Sequence, residues 1–337
     1  MTPKLLNDPF RAVDEMLAGV ACAHPTVELL PGGRALVTRR RSALRRVAVI
    51  TGGGSGHEPA FFGHVGPGLA DGVAVGNVFA APSARPSVEL ARRLAPPDGV
   101  LFVYGNYEGD VMNFGLAAEL LADEGIPSET VLVTDDVASA PREQGSERRG
   151  VAGGLVVLKA AGARADEGAG LAEVASAARL ANERTRTVGV GLAPCTLPTA
   201  EAPTFALAEG EMDIGMGVHG EAGIQRSALL SADEVADLLL ELILEDRPPE
   251  PGEPVQVLVN TLGATTLMEG YVVLRRVAAS LAERRIPLGR ALVGEYITSL
   301  EMAGLSLTVT ALGGELARWL AAPAEPLTGP APWGRVA

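Results

Sequence analysis

The stretch that most constrains this chain is Arg46–Pro59, RVAVITGGGSGHEP. Val47–Thr51 is apolar and rich in β-branched residues, which predicts a short buried strand. Gly52, Gly53, Gly54 and Gly56 then let the backbone turn sharply and come close to another group, because no Cβ intervenes. His57 is presented from that turn and Pro59 ends it. In open α/β sheets ligands bind beyond the carboxyl ends of the strands, so this strand, turn and histidine together mark a candidate small-molecule site. A tight turn carrying an incidental histidine is the other reading of the same residues. The loop is not a Walker A loop, which ends in Gly-Lys-Ser/Thr. The chain has two lysines, Lys4 and Lys159, and neither follows a glycine-rich turn.

Two further predicted strands end in the same way. Gly99–Tyr104 (GVLFVY) runs into Gly105-Asn106-Tyr107-Glu108-Gly109-Asp110, and Glu129–Asp136 (ETVLVTDD) ends in two acids. In a parallel sheet, Ser55/His57, Asp110 and Asp135/Asp136 all arrive at one edge. Asp110 also opens a helical run, so helix capping is its alternative role. His64 lies among glycines and aromatics close to the first loop and reads as a supporting residue. His24, at a helix end beside Pro25, reads as structural.

Helices are predicted from Asn7-Asp8-Pro9, over Ser87–Leu94, after Asp110, after Arg149 and over Gly170–Arg184. Near Thr185–Thr187 the pattern restarts with a new strand, TVGVGL. This divides the chain into an N-terminal α/β domain, 1–185, and a C-terminal α/β domain, 186–337. Ser231 and Glu234 form a capping-box pattern ahead of a Leu-rich helix to Glu245. Strands at Val255–Val259, Ala291–Ile297 and Leu305–Thr310 alternate with a helix leading to Ser280, and a Pro-rich tail from Pro323 wraps a surface. The expected fold class is α/β. Each domain is a largely parallel or mixed sheet flanked by helices, with the substrate site at the carboxyl ends of the strands.

Glu211–Glu221, EMDIGMGVHGE, contains Gly215-x-Gly217-x-x-Gly220, formally a dinucleotide fingerprint. The AGIQRSALLS that follows is not helical in pattern, so the required strand–turn–helix context is missing. His219, between Val218 and Gly220 after a strand, is the notable residue; a satisfied turn histidine is the alternative.

The net charge of −13 argues against nucleic acid and anionic membrane surfaces as partners. No run approaches the roughly 20 apolar residues of a membrane span, and the acidic N-terminal stretch has no signal-peptide core. Cys22 and Cys195 are isolated and read as reduced cytoplasmic thiols; no Cys/His cluster suggests a metal. Arg39–Arg41 with Arg45 and Arg46 is a basic run that reads as a solvated loop, with a phosphate or partner contact as the alternative.

Taken together, GGGSGHEP at 52–59, GNYEGDVMNF at 105–114, RRGVAGG at 148–154, PCTLP at 194–198, MGVHGE at 216–221 and NTLGATT at 260–266 resemble, in order and spacing, the substrate-binding subunit of dihydroxyacetone kinases. The resemblance runs from about Leu5 to the C-terminus. It implies two α/β domains with a ketose bound between them, and a homodimer. It implies that His219 adds to the ketose carbonyl as a covalent hemiaminal, that His57 is general base on the substrate hydroxyl, and that Asp110 hydrogen-bonds that hydroxyl. Gly54, Ser55 and Gly56 would contact the substrate. The best-known members carry a substrate-contacting Lys where this chain has Gly105; losing it is expected to enlarge that end of the pocket and to favour a tetrulose such as erythrulose. No cofactor is expected on this chain; ATP or ADP with Mg²⁺ is expected on a nucleotide-binding partner subunit. A non-catalytic ketose sensor is the alternative, discriminated by whether the His57 and Asp110 pair is kept. An NAD-dependent oxidoreductase resting on Gly215–Gly220 fails on context.

Overall fold

The structure, a computed structural model, describes residues 3–333. It holds two six-stranded sheets. The first has β1 (Val27–Leu29), β2 (Ala35–Thr38), β3 (Ala48–Ser55), β4 (Gly72–Val78), β5 (Val100–Gly105) and β6 (Ser128–Val133) in the order β1-β2-β4-β3-β5-β6. Strands β4, β3, β5 and β6 are parallel, while β1 and β2 form an antiparallel edge. The second sheet orders β7 (Thr185–Ala193), β8 (Glu211–Ile214), β9 (Gln225–Ala228), β10 (Val255–Thr261), β11 (Leu288–Gly294) and β12 (Ala303–Ala311) as β11-β10-β12-β7-β8-β9. Only its β10–β11 pair is parallel. The architecture is therefore α/β with two mixed sheets, as the sequence predicts.

Strand β4 has no counterpart in the sequence reading. Its Gly- and Ala-rich run becomes a strand because β2 and β3 pair with it on both sides. The same pairing carries β3 through the glycines to Ser55, four residues beyond the predicted Thr51, with Gly52 opposite Ala74 and Gly53 opposite Val75.

Helices α2 (Ala84–Leu94) and α3 (Glu108–Asp123) cover one face of the first sheet, where Val88, Leu90, Phe114 and Leu121 pack on Ile50 and Phe102. On the other face lie α1 (Ala12–Ala23), α4 (Gly154–Asp166) and α5 (Leu171–Glu183). Helices α6 (Ala232–Asp246) and α7 (Leu267–Glu283) cover one face of the second sheet. Both open on capping boxes, Ser231 with Glu234 and Thr266 with Glu269. Helix α4 is buried over most of its length because it lies between the sheets: Val156 and Val157 join the first core, while Ala152, just before it, and Leu155 pack with Leu258 and Leu292 of the second sheet. After β12 the chain crosses back, and α8 (Glu315–Ala321) adds Leu316, Trp319 and Leu320 to the first core. Glu325 and Leu327 then hydrogen-bond along Pro67 and Gly63, so the Pro-rich tail does run along a surface.

The basic run is not uniformly solvated. Arg45 is buried, pairs with Asp71 and Asp166, and donates to the carbonyls of Leu69 and Gly162. Two carboxylates and two carbonyls compensate a burial that an unpaired guanidinium would not tolerate.

Lys159 on α4 is fully buried, with Nζ donating to the Trp319 carbonyl at 2.7 Å and so tying α4 to α8. Burial pushes its pKa down to about 7, with Asp166 opposing and Arg290 and Arg45 reinforcing. Between about pH 7 and the ordinary value of 10.5 the unfolded chain then binds the proton that the folded chain lacks, so Lys159 makes stability rise with pH across that window. In Lys159→Met this contribution is expected to vanish. Melting temperatures at pH 7 and pH 9 test it; an identical pH dependence in both proteins contradicts it.

Candidate active site

The carboxyl ends of β3 and β5 face loops of the second sheet across one pocket. It is lined by Gly52–Gly54 at the end of β3 and His57 after it, by Gly105, Tyr107 and Asp110 at and after the end of β5, by Gly150, Val151, Gly154 and Leu155 ahead of and within α4, and by Val218 and His219 after β8. Of the site residues predicted from sequence, His57, Asp110, His219, Gly54 and Gly105 lie on this wall. Ser55 and Gly56 lie behind it: the Ser55 hydroxyl donates to the Gly76 carbonyl, and the Gly56 N–H donates to the Glu58 carboxylate. Asp135 and Asp136 reach the same edge but serve the frame. Asp135 accepts from the N–H groups of Val151 and Gly153, and Asp136 pairs with Arg149. His64, read as a supporting residue, is buried on the pocket wall with its Nε2 unpartnered.

The two halves of the chain are hydrogen-bonded together at the site. Thr298 N–H donates to the His57 carbonyl, Leu300 N–H to the Gly56 carbonyl, and the Thr298 hydroxyl to the Glu58 carbonyl. His57 Nδ1 lies 2.7 Å from the Thr298 carbonyl oxygen, which can only accept, so Nδ1 carries the hydrogen. His57 Nε2 is therefore turned to the pocket, where it meets His219 Nε2 at 3.1 Å. His219 Nδ1 lies 2.9 Å from Glu221 Oε1, and the His219 N–H donates to Glu221 Oε2. A Glu two residues after the His closes this small ring across the Gly220 turn, where φ is +89°. Sequence reasoning passed over Glu221, although the His-Gly-Glu spacing is the signal that marks it.

Burial sets the charge states. It pushes His57 down to about 3, reinforced by His219 and opposed by the Thr298 carbonyl, so His57 is a neutral base at pH 7. Burial lifts Asp110 to about 7, partly offset by His219, and its Oδ1 has no hydrogen-bond partner. For Glu221 burial acts upward, but the hydrogen bond and charge of His219 outweigh it and bring the carboxyl to about 2. His64 is held at about 4 by burial. A neutral imidazole, a second imidazole backed by a carboxylate, and a carboxyl poised near neutrality meet in one pocket. Such a set can take a proton, attack an electrophilic carbon and bind a hydroxyl.

Phe79 fixes the ring of His57 and explains the glycines. Its ring stacks on His57 at 4.9 Å and meets His219 edge-on at 5.1 Å. Its φ is +55°, a conformation costing on the order of 1–3 kcal/mol outside glycine and held here by surrounding contacts. A Cβ on Gly54 would stand 2.7 Å from Ala80 N and 3.1 Å from Phe79 Cα, both backbone atoms that cannot swing aside. Gly54→Ala is expected to destabilise the protein by about 1–3 kcal/mol and to displace Phe79 from His57. Denaturant midpoints read this; an unchanged midpoint contradicts it.

Gly105 borders the pocket beside Tyr107. A Cβ at Gly105 would lie 3.1 Å from the Tyr107 ring and 3.3 Å from the Gly150 carbonyl oxygen. That ring is edge-on to His219 at 5.0 Å, and its hydroxyl is buried without a partner. The Gly215–Gly220 run leads to β9 and not to a helix, so the dinucleotide context is absent.

The Dak1 domain model matches residues 18–328. The chain belongs to the Dak1 family. Among curated Dak1 relatives, it is 47% identical over 323 residues to the D-erythrulose kinase of Mycolicibacterium smegmatis, covering 96% of this chain and 55% of that protein. It is 44% identical over 324 residues to the dihydroxyacetone-binding subunit DhaK of PTS-dependent dihydroxyacetone kinase 2 of Listeria innocua, covering 96% of this chain and 97% of that one. The chain thus spans about half of the first relative and nearly all of the second. Among solved structures it is similar to the dihydroxyacetone kinase operon co-activator DhaQ, with a TM-score of 0.86, 31% identity, and coverage of 92% of this chain and 96% of that one. Among the described residues, no group of three or more His, Cys, Asp or Glu could hold a metal ion, and no helix is long and apolar enough to cross a membrane.

Proposed function

We propose that this Dak1 chain captures a short-chain ketose and presents its terminal hydroxyl for phosphorylation. The observation that carries the reading is the approach of His57 Nε2 and His219 Nε2 to 3.1 Å in a pocket that also holds the unpartnered Asp110 carboxyl. In this reading His219 Nε2 adds to the ketose carbonyl carbon and holds the substrate as a hemiaminal. His57 Nε2 accepts the proton of the hydroxyl being phosphorylated, and Asp110 hydrogen-bonds that hydroxyl. Covalent attachment fixes orientation and rejects polyols that lack a carbonyl. Gly54 and Gly105 border the bound ketose.

ATP or ADP with Mg²⁺ belongs to a nucleotide-binding partner subunit, which passes on a phosphoryl group that comes from ATP or from a phosphotransferase-system phosphoprotein. Lys4 is paired with Glu301 and Lys159 is buried, so neither lysine is placed to hold a phosphate in the pocket. The chain acts as a homodimer in the cytoplasm, in keeping with its two free cysteines. The sensor reading draws on the co-activator likeness. Against it, identity is higher to the two kinase relatives, and this chain keeps both His57 and Asp110 in the pocket.

A tetrulose is the favoured ketose, because Tyr107, whose ring meets His219 edge-on at the pocket wall, carries a buried, unpartnered hydroxyl to offer to the extra hydroxyl that dihydroxyacetone lacks. Turnover of D- and L-erythrulose and dihydroxyacetone, with a nucleotide-binding kinase subunit supplied, tests both the activity and the preference. Equal or better turnover of dihydroxyacetone than of either erythrulose contradicts the preference. Tyr107→Phe is expected to weaken erythrulose binding by about 3- to 10-fold, the worth of one neutral hydrogen bond, and to leave dihydroxyacetone nearly unchanged. Equal losses for both ketoses would remove Tyr107 from that role.

A further inference from the structure

The hydrogen bonds around His57 and His219 fix a proton count. The Thr298 carbonyl accepts only, so His57 Nδ1 is protonated and its Nε2 is a lone pair. The Glu221 carboxylate accepts only, so His219 Nδ1 is protonated as well. With no further proton, two nitrogen lone pairs would face each other at 3.1 Å, inside hydrogen-bonding distance and repulsive. One more proton on this axis, carried by His219 Nε2 and donated to His57 Nε2, turns the contact into a hydrogen bond. The other groups facing the pair agree with a single positive charge. Glu221 is its direct counter-ion, Asp110 faces it from α3, and Phe79 and Tyr107 enclose it with ring faces and edges. Arg149, paired only loosely with Glu221, stands 4.0 Å from the carboxylate and is itself committed to Asp136.

Building on the capture of a ketose proposed above, we propose that the ligand-free site stores one proton between His57 and His219, and that capture moves this proton to the ketose carbonyl oxygen. Glu221 is the positioning residue that makes the store possible. The step balances. The His219 Nε2–H bond breaks and its proton passes, by way of His57 Nε2, to the carbonyl oxygen. The freed Nε2 lone pair forms a bond to the carbonyl carbon, and the C=O π pair moves to the oxygen, which becomes a hydroxyl. The pair carries one positive charge before the step. Afterwards the substituted His219 ring carries it, still hydrogen-bonded through Nδ1 to Glu221. No proton is exchanged with solvent. His57 is left with a free Nε2, ready to accept the proton of the hydroxyl that is to be phosphorylated. Capture therefore arms the base in the same event that fixes the substrate.

The test uses the full chain with ¹⁵N-labelled histidine, ligand-free, at pH 7. Nitrogen NMR is expected to find both Nδ1 atoms protonated and a single proton shared by the two Nε2 atoms. Glu221→Gln keeps an acceptor for Nδ1–H but not the charge, so its Nε2 pair is expected to lose that proton. The second arm is calorimetric binding of erythrulose and dihydroxyacetone in buffers of different ionisation enthalpy. Glu221→Gln is expected to take up about one more proton per ketose than the native chain, and to bind at least about tenfold more weakly, as loss of a charged hydrogen bond implies. Any contribution from Asp110 cancels in that difference. Two unprotonated Nε2 atoms in the native chain, or equal proton uptake by both proteins, overturns the proposal. Absence of ketose binding to the native chain overturns ketose capture instead, and the NMR arm, which needs no ketose, still decides the stored proton.

Discussion

His219→Ala is expected to abolish covalent capture and to cut turnover at low ketose concentration by roughly 10²–10⁴-fold, the scale on which a lost positioned reactive group is felt. The reason is geometric. His219 is the imidazole whose Nδ1 is secured by Glu221, which leaves only Nε2 to face the pocket. Its side chain is about a quarter exposed and sits in the turn between β8 and β9, outside both main cores. Truncation therefore removes chemistry without opening a core cavity, and the melting temperature should stay close to the native value. Normal turnover by His219→Ala at low ketose would defeat the covalent reading. Loss of turnover with a collapsed melting temperature would assign His219 a structural role.

His57→Asn is expected still to bind ketose, but more slowly because the proton relay through Nε2 is gone, and to lose turnover, again by roughly 10²–10⁴-fold. Asparagine can still donate toward the Thr298 carbonyl, so the loop stays tied, but it offers no basic nitrogen to the pocket. The pH dependence separates His57 from Asp110. Burial leaves His57 unprotonated down to about pH 3, so it contributes no acid limb in an ordinary assay range. Asp110 is raised to about 7, and it accepts the substrate hydroxyl's hydrogen most strongly when ionised. Turnover should therefore rise with pH through about 7, and Asp110→Asn should flatten that rise along with lowering the rate. A rise that persists unchanged in Asp110→Asn would assign the limb to another group.

The parts of this site that were legible in the sequence are those written by local patterns. The glycine-rich turn after a strand, the acid at a helix start and the histidine flanked by glycines each mark a place where a side chain can meet a ligand, and His57, Asp110 and His219 do line one pocket. What was not legible depends on partners distant along the chain. Arg45 reads as a surface residue until Asp71 and Asp166 are seen to enclose it. Asp135 looks like a site acid until the N–H groups of Val151 and Gly153 claim it. The glycines of the 52–56 loop read as room for a ligand, whereas Phe61, Phe79 and the backbone at Ala74 and Ala80 occupy much of that room. At Gly105 the Tyr107 ring and the Gly150 carbonyl likewise stand close to where a Cβ would go.

The most direct test of the central claim is carbon NMR of the native chain with erythrulose or dihydroxyacetone labelled with ¹³C at the carbonyl. If His219 captures the ketose, the bound carbon moves from the carbonyl region to that of a tetrahedral carbon bonded to nitrogen and oxygen, and the signal is absent in His219→Ala. A bound ketose whose labelled carbon stays a carbonyl, or whose tetrahedral signal survives in His219→Ala, contradicts the account.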